Sequence, residues 1–203
     1  RCLTALIELA RPGRRWLGIL HAATVAVNGR CVLLAAPSGS GKSTLAAALV
    51  ARGARFVGDD YAPIERATWR VWPVPFAPSI KRGSWRLLGR RHPQLAAARV
   101  FEHRGLRLRY LRLEPAQQAP LDRGLPVAAL VFPQFRRGAA LELHRLPPLQ
   151  ALTGLCHAHP ILDRRADALA ETLRFVRRVP AYALCYSDLD AAVSRVCGVL
   201  DAA

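Results

Sequence analysis

A chain of 203 residues, 52% hydrophobic and 22% charged, is long enough to bury one substantial core, and one globular domain is the default expectation. Thirty Lys and Arg against fourteen Asp and Glu give a formal charge of +16, which admits acidic partners: nucleotide phosphates, an acidic peptide or nucleic acid. No apolar run approaches the roughly 20 residues of a membrane span, and the opening RCLTALIELARPGRR lacks a secretory core with a cleavage site.

Of the thirty basic residues only Lys42 and Lys81 are lysines. So thorough a replacement of Lys by Arg reads as composition bias, and pairs such as Arg14–Arg15, Arg90–Arg91 and Arg177–Arg178 are dispersed rather than gathered in one block. With no aromatic platform interleaved among them, nucleic acid is the less favoured partner. Five cysteines, odd in number and never spaced C-x-x-C, point to reduced thiols in the cytoplasm rather than a disulfide framework or a zinc site. The chain has no Met and starts at Arg1, so the expectation is a piece of a longer polypeptide. Residues 1–17 then form a lead-in to a domain over 18–203.

In chain order, residues 18–36 read as two strands around Asn28–Gly29, a dipeptide that favours a tight hairpin turn. The second strand, Cys31–Ala36, is continuously apolar and therefore central in its sheet. A Gly/Ser-rich loop follows, then an Ala/Leu-rich helix over Lys42–Arg52 ended by Gly53. A short strand, Arg55–Gly58, runs into Asp59–Asp60. Residues 61–76 carry Pro63, Pro73 and Pro75, which suits an edge hairpin. The stretch Leu106–Leu113 alternates strictly, one face apolar and the other basic. Val127–Phe132 is another buried strand. Helices over about 148–157 and 163–178, a strand at Tyr182–Tyr186 and a final helix opening on a capping box at Ser187–Asp190 complete an α/β domain with a mixed sheet.

The loop reads Ala36-Pro37-Ser38-Gly39-Ser40-Gly41-Lys42-Ser43 against the consensus G-x-x-x-x-G-K-[ST], with Ala36 in place of the first glycine. Gly39 and Gly41 let backbone N–H groups curl around an anion, and the following helix, from Lys42 through Ser43 and Thr44, adds its positive N-terminus. Lys42 supplies a point charge to the β- and γ-phosphates, and the Ser43 hydroxyl reaches Mg²⁺. A bias that converted nearly every Lys to Arg spared Lys42, because a guanidinium fork cannot replace an ammonium packed in the loop.

Asp59 and Asp60 end the next strand, so both arrive beside this loop if that strand neighbours Cys31–Ala36. Two adjacent acids can divide the work of accepting a nucleophile's proton and holding the metal. Taken alone, the pair could equally be a solvated turn. His21, in the first strand of the hairpin, reads by itself as a satisfied core residue. His157 and His159 read as loop residues without a metal role.

The order and intervals of His21, Ser38–Ser43, Arg52-Gly53-Ala54-Arg55 and Asp59–Asp60 resemble the catalytic domain of HPr kinase/phosphorylase, and more closely its smaller HPr-kinase-related relatives of bacterial gene clusters. The segments PFAPSIKRGSW, VAALVFPQFRRGAALELHRL and VPAYALCYSDLDAAV also look like those kinases. The resemblance implies a P-loop fold of the HPr kinase/PEP carboxykinase-like type, a mixed β-sheet flanked by helices, over residues 18–203. It implies an ATP- or GTP-dependent, magnesium-requiring serine kinase acting on a small protein or peptide. Lys42 and Ser43 match the phosphate and magnesium pair, Asp59 the acid that accepts the serine proton, Asp60 its metal-linked neighbour, and His21 a histidine close to the active site. Ser79 and Lys81 lie in the S-I-K segment, where the second surviving lysine invites a phosphate or substrate contact. A homo-oligomer is implied too. The chain lacks the amino-terminal domain of full HPr kinases and shows no match to the later signature tied to dephosphorylation. A small-metabolite kinase and a regulatory module that binds nucleotide without transfer are the alternatives.

Overall fold

The computed structural model describes residues 2–103, 105–158, 161–162 and 166–201. His159 and the first residues of the helix expected from 163 lie outside them. The chain opens with α1 (Cys2–Ala10), β1 (Trp16–Leu20), β2 (Ala22–Val27), β3 (Arg30–Ala35), α2 (Lys42–Ala51), β4 (Arg55–Gly58), β5 (Ala62–Glu65) and β6 (Arg70–Val71). Next come β7 (Ser79–Lys81), α3 (Trp85–Gly89), α4 (Gln94–Ala97), β8 (Val100–His103), β9 (Leu106–Tyr110) and β10 (Leu125–Phe135). The last are β11 (Glu142–Arg145), α5 (Pro148–His157), β12 (Ile161–Leu162), α6 (Ala166–Arg178), β13 (Ala181–Tyr186) and α7 (Leu189–Asp201). No helix among the described residues is long and apolar enough to cross a membrane.

Asn28 and Gly29 both take positive φ, 52° and 76°, and place Val27 opposite Arg30; this is the two-residue turn whose twist matches a hairpin. β3 is buried along Cys31–Ala35, between antiparallel β2 and parallel β10. Its central position follows from having no polar face. Val32 and Leu34 pack with α2 and α7, whereas Cys31, Leu33 and Ala35 pack with α5 and α6. The helix α2 is apolar on nearly every side, as a helix enclosed by neighbours must be, and it packs with Ile80, Leu88, Leu95 and the inner face of α7.

The strands form a curled mixed sheet flanked by helices, because β10 pairs with both β6 and β13, along different stretches. One ladder runs β11, β13, β10, β3, β2, β4; the other adds β6, β5, β1 and β12 at the start of β10. The hairpin of β5 and β6 therefore lies inside the sheet, between β1 and β10, and not at an edge. Pro63 lies opposite Ile19 of β1 and its carbonyl accepts from the Trp72 N–H at 3.0 Å, a contact that needs no N–H of its own, and Pro73 and Pro75 fall beyond the ladder.

A second sheet has three strands, in the order β7, β9, β8. In the alternating stretch one arginine turns inward: Arg109 stacks 4.2 Å from the Trp85 ring centre and donates to the Leu95 carbonyl, while Leu106, Arg107, Tyr110 and Arg112 are exposed and Leu111 and Leu113 are buried. At the amino end, Ile7 packs with Ile19 and Val74, and β1 already begins at Trp16, two residues before the expected boundary. Asp188, not Ser187, caps the final helix, by accepting from the Ala191 N–H at 2.9 Å; the Ser187 hydroxyl accepts from Gly138.

Candidate functional site

The register of three strands assembles the site at one end of the sheet. Ala22, the first residue of β2, pairs with Ala35, the last of β3, and Thr24 pairs with Gly58, the last of β4. β4 does not neighbour β3, because β2 lies between them. Both run antiparallel to β2 and hence parallel to each other, so their carboxyl ends emerge on the same side. The residue before β2, the loop after β3 and the acids after β4 therefore meet. His21 occupies a bend between β1 and β2, where the chain leaves one ladder for the other. It is half-buried at the rim and not inside a strand.

Gly39 and Gly41 have φ of 91° and 97°, a region costly for residues with a Cβ. At Gly41 a Cβ would also collide with the Tyr186 hydroxyl. The Phe135 N–H donates to the Ser40 carbonyl at 3.1 Å, so the end of β10 holds the loop from beside it. Ala36 is buried and lacks positive φ, so a methyl group fits where the consensus has glycine. Pro37, Ser38 and Gly39 are exposed and Ser40 and Gly41 half-buried. The Ser40 hydroxyl is buried without a hydrogen-bond partner among the described residues.

Lys42, 5% exposed, donates from Nζ to the Ala36 carbonyl at 2.7 Å and the Pro37 carbonyl at 3.2 Å. Burial lowers its pKa, opposed by the charges of Asp60 and Asp59 and reinforced by that of Lys81. The Ser43 hydroxyl donates to Asp59 Oδ1 at 3.0 Å. The Thr44 hydroxyl turns aside and shares a 2.6 Å hydrogen bond with Ser84.

The two carboxylates diverge because Asp60 takes φ of 65°, a left-handed conformation that Asp tolerates better than most residues. Asp59 points inward, 3% exposed, and accepts from Ser43 and from the Ser79 backbone N–H at 3.2 Å. Burial, with repulsion from Asp60, raises its pKa from the usual 3.8 to about 6. Asp60 pairs instead with His21 Nε2 at 3.0 Å. That hydrogen bond holds the Asp60 carboxyl below its ordinary range, against the effect of burial. Two adjacent acids are thus pushed apart by their surroundings, one toward accepting a proton near neutrality and one toward staying ionised.

Magnesium takes oxygen ligands, commonly one or two carboxylates completed by phosphate oxygens and water. The Ser43 hydroxyl and the Asp60 carboxylate are oxygen donors of that kind. No larger cluster of His, Cys, Asp or Glu able to hold a metal occurs among the described residues. A cavity of about 760 Å³ lined by Arg14, Arg15, Glu65 and Arg66 contains none of these residues.

The geometry therefore gathers His21, the loop, Lys42, Ser43, Asp59 and Asp60, and leaves Thr44 facing Ser84. Sequence reasoning overlooked Tyr186 beneath Gly41, and the Phe135 backbone contact, for which no local motif exists. Compared with known proteins, the chain matches no protein-family model and no curated protein.

Proposed function

We propose that this is a cytoplasmic, HPr kinase-like serine kinase, which transfers the γ-phosphoryl group of ATP or GTP to a serine hydroxyl of a small protein or peptide. The observation that carries the reading is Asp59: a buried acid with its pKa raised to about 6 and hydrogen-bonded to the serine of a phosphate loop. A general base poised near the working pH needs a pKa raised in this way.

In this reading the loop N–H groups and Lys42 bind the phosphates. Asp59 takes the acceptor hydroxyl's proton as its oxygen bonds to phosphorus, and the nucleoside diphosphate departs with the electrons of the broken bond. Asp60, kept ionised by His21, and the Ser43 hydroxyl are the groups that would hold Mg²⁺. When bound, the metal would neutralise charge building on the phosphoryl oxygens. The scattered free cysteines at 31, 156, 185 and 197 suit a reducing compartment.

The test is label transfer from γ-labelled ATP to a degenerate serine-peptide library. Asp59→Asn should keep Mg-ATP binding and lose about 10²–10⁴-fold in transfer. Transfer by Asp59→Asn at the wild-type rate would remove the base from the mechanism. Saturable nucleotide binding by wild type with no labelled product would favour the regulatory module instead.

A further inference from the structure

The site holds a second ammonium group that the phosphate loop does not account for. Lys81 ends β7, in the three-stranded sheet, and its Nζ donates to Ser38 Oγ at 2.7 Å. Ser38 is exposed on the outer limb of the loop. The same strand is fastened to the catalytic acid two residues earlier, where the Ser79 N–H donates to Asp59. The Lys81 charge acts on both Lys42 and Asp60, so the two ammonium groups share one electrostatic neighbourhood. They are also the only two lysines among thirty basic residues.

Bringing two like charges together costs free energy unless an anion lies between them. Asp60 offsets part of that charge from a distance, but neither carboxylate is hydrogen-bonded to Lys81: Asp59 is held by Ser43 and Ser79, and Asp60 by His21. Lys42, on the helix that follows the loop, donates to the Ala36 and Pro37 carbonyls, and Lys81, from the three-stranded sheet, donates to the side chain of the next residue, Ser38. An anion held by the loop would thus meet an ammonium group from each of two separate elements. Because β7 is tied to Asp59, Lys81 stands at the end where phosphoryl transfer would occur. A compact ammonium suits a single phosphate oxygen as a point charge, and a guanidinium fork does not reproduce that contact.

We propose that Lys81 binds the terminal phosphate of the nucleotide and makes the site select a triphosphate over a diphosphate. This rests on the nucleotide-binding reading above and deepens it. The bland alternative, a surface hydrogen bond that merely fastens the small sheet to the loop, predicts no difference between the two nucleotides.

The experiment measures Mg-ATP and Mg-ADP affinities of the full chain for wild type, Lys81→Ala, Lys81→Gln and Lys42→Ala by calorimetry, with melting curves to verify folding. Lys81→Ala and Lys81→Gln should each weaken Mg-ATP binding about tenfold or more and leave Mg-ADP within twofold. Equal weakening of both nucleotides, or of neither, overturns the proposal, and the Gln variant decides if Ala does not fold. Lys42→Ala should lose both nucleotides. If wild type binds neither, or if Lys42→Ala binds both as wild type does, the phosphate-loop reading itself fails and Lys81's role falls with it.

Discussion

Replacing Asp59 by asparagine keeps the shape and both partners, with the amide oxygen accepting from the Ser79 N–H and the amide NH₂ donating to a rotated Ser43 hydroxyl, yet removes a charge that folding disfavours. An acid whose folded-state pKa exceeds its unfolded value stabilises the fold only while protonated. For Asp59 the penalty therefore begins as pH rises above the usual 3.8 and is complete above about 6. At about 1.36 kcal/mol per pH unit, that displacement amounts to about 3 kcal/mol at pH 8. Asp59→Asn should recover a large part of it. For a domain of this length, each kcal/mol moves the melting point by about 2–4 °C, so a rise of about 5–10 °C is expected at pH 8. At pH 4.5, about 0.7 unit above the onset, about 1 kcal/mol of the penalty is present, so the difference should shrink to about 2–4 °C. The assay is a series of thermal melts of both proteins between pH 4.5 and 8. An asparagine variant less stable than wild type at pH 8, or a difference that does not change with pH, would refute the assignment of a burial-strained carboxylate.

Three further outcomes check other parts of the site. His21→Ala removes the 3.0 Å partner that keeps Asp60 ionised, so the acid limb of magnesium-dependent nucleotide binding should move to higher pH; a profile superimposable on wild type would separate His21 from Asp60 function. Gly41→Ala combines a left-handed backbone with a collision against Tyr186 and should lower stability by about 1–2 kcal/mol from the backbone alone, while weakening Mg-ATP binding more than tenfold. Adding Tyr186→Phe should relieve the collision but not the backbone cost, which a melt of the double variant would show. Asp188→Ala removes the side-chain cap of α7 and should cost about 1 kcal/mol in denaturant unfolding without changing nucleotide affinity; a null effect would mean that packing alone sets the start of that helix.

Local patterns carried much of this protein. The Asn28–Gly29 turn, the buried run of β3, the glycines at 39 and 41, the helix that follows them and its stop at Gly53 each depend on neighbours a few residues away, and each was legible from residue type and spacing. Asp59 and Asp60 were legible as a pair but not as two different groups. Their separation depends on the φ of Asp60 and on partners at 21, 43 and 79, which no short window contains. The position of β4 likewise escaped a local reading: its acids reach the loop not by strand adjacency but because β2 sits between two strands that run the same way.

The alternating stretch from Leu106 shows the same limit. Periodicity suggested an apolar and a basic side, but the folded chain buries Leu111 and Leu113 and draws in only Arg109, received by Trp85 and the Leu95 carbonyl, leaving Arg107 and Arg112 exposed. The prolines of 61–76 suggested an edge, yet long-range pairing with β1 and β10 placed the hairpin inside the sheet. The turn of the Gly/Ser-rich loop needed only its own residues to be read, since the dihedrals of Gly39 and Gly41 are set locally. The collision that reserves position 41 for glycine, the second lysine above the loop and the opposed states of the two aspartates arise from segments far apart in the chain. Burial and electrostatics act through space, and only the folded chain brings those segments together.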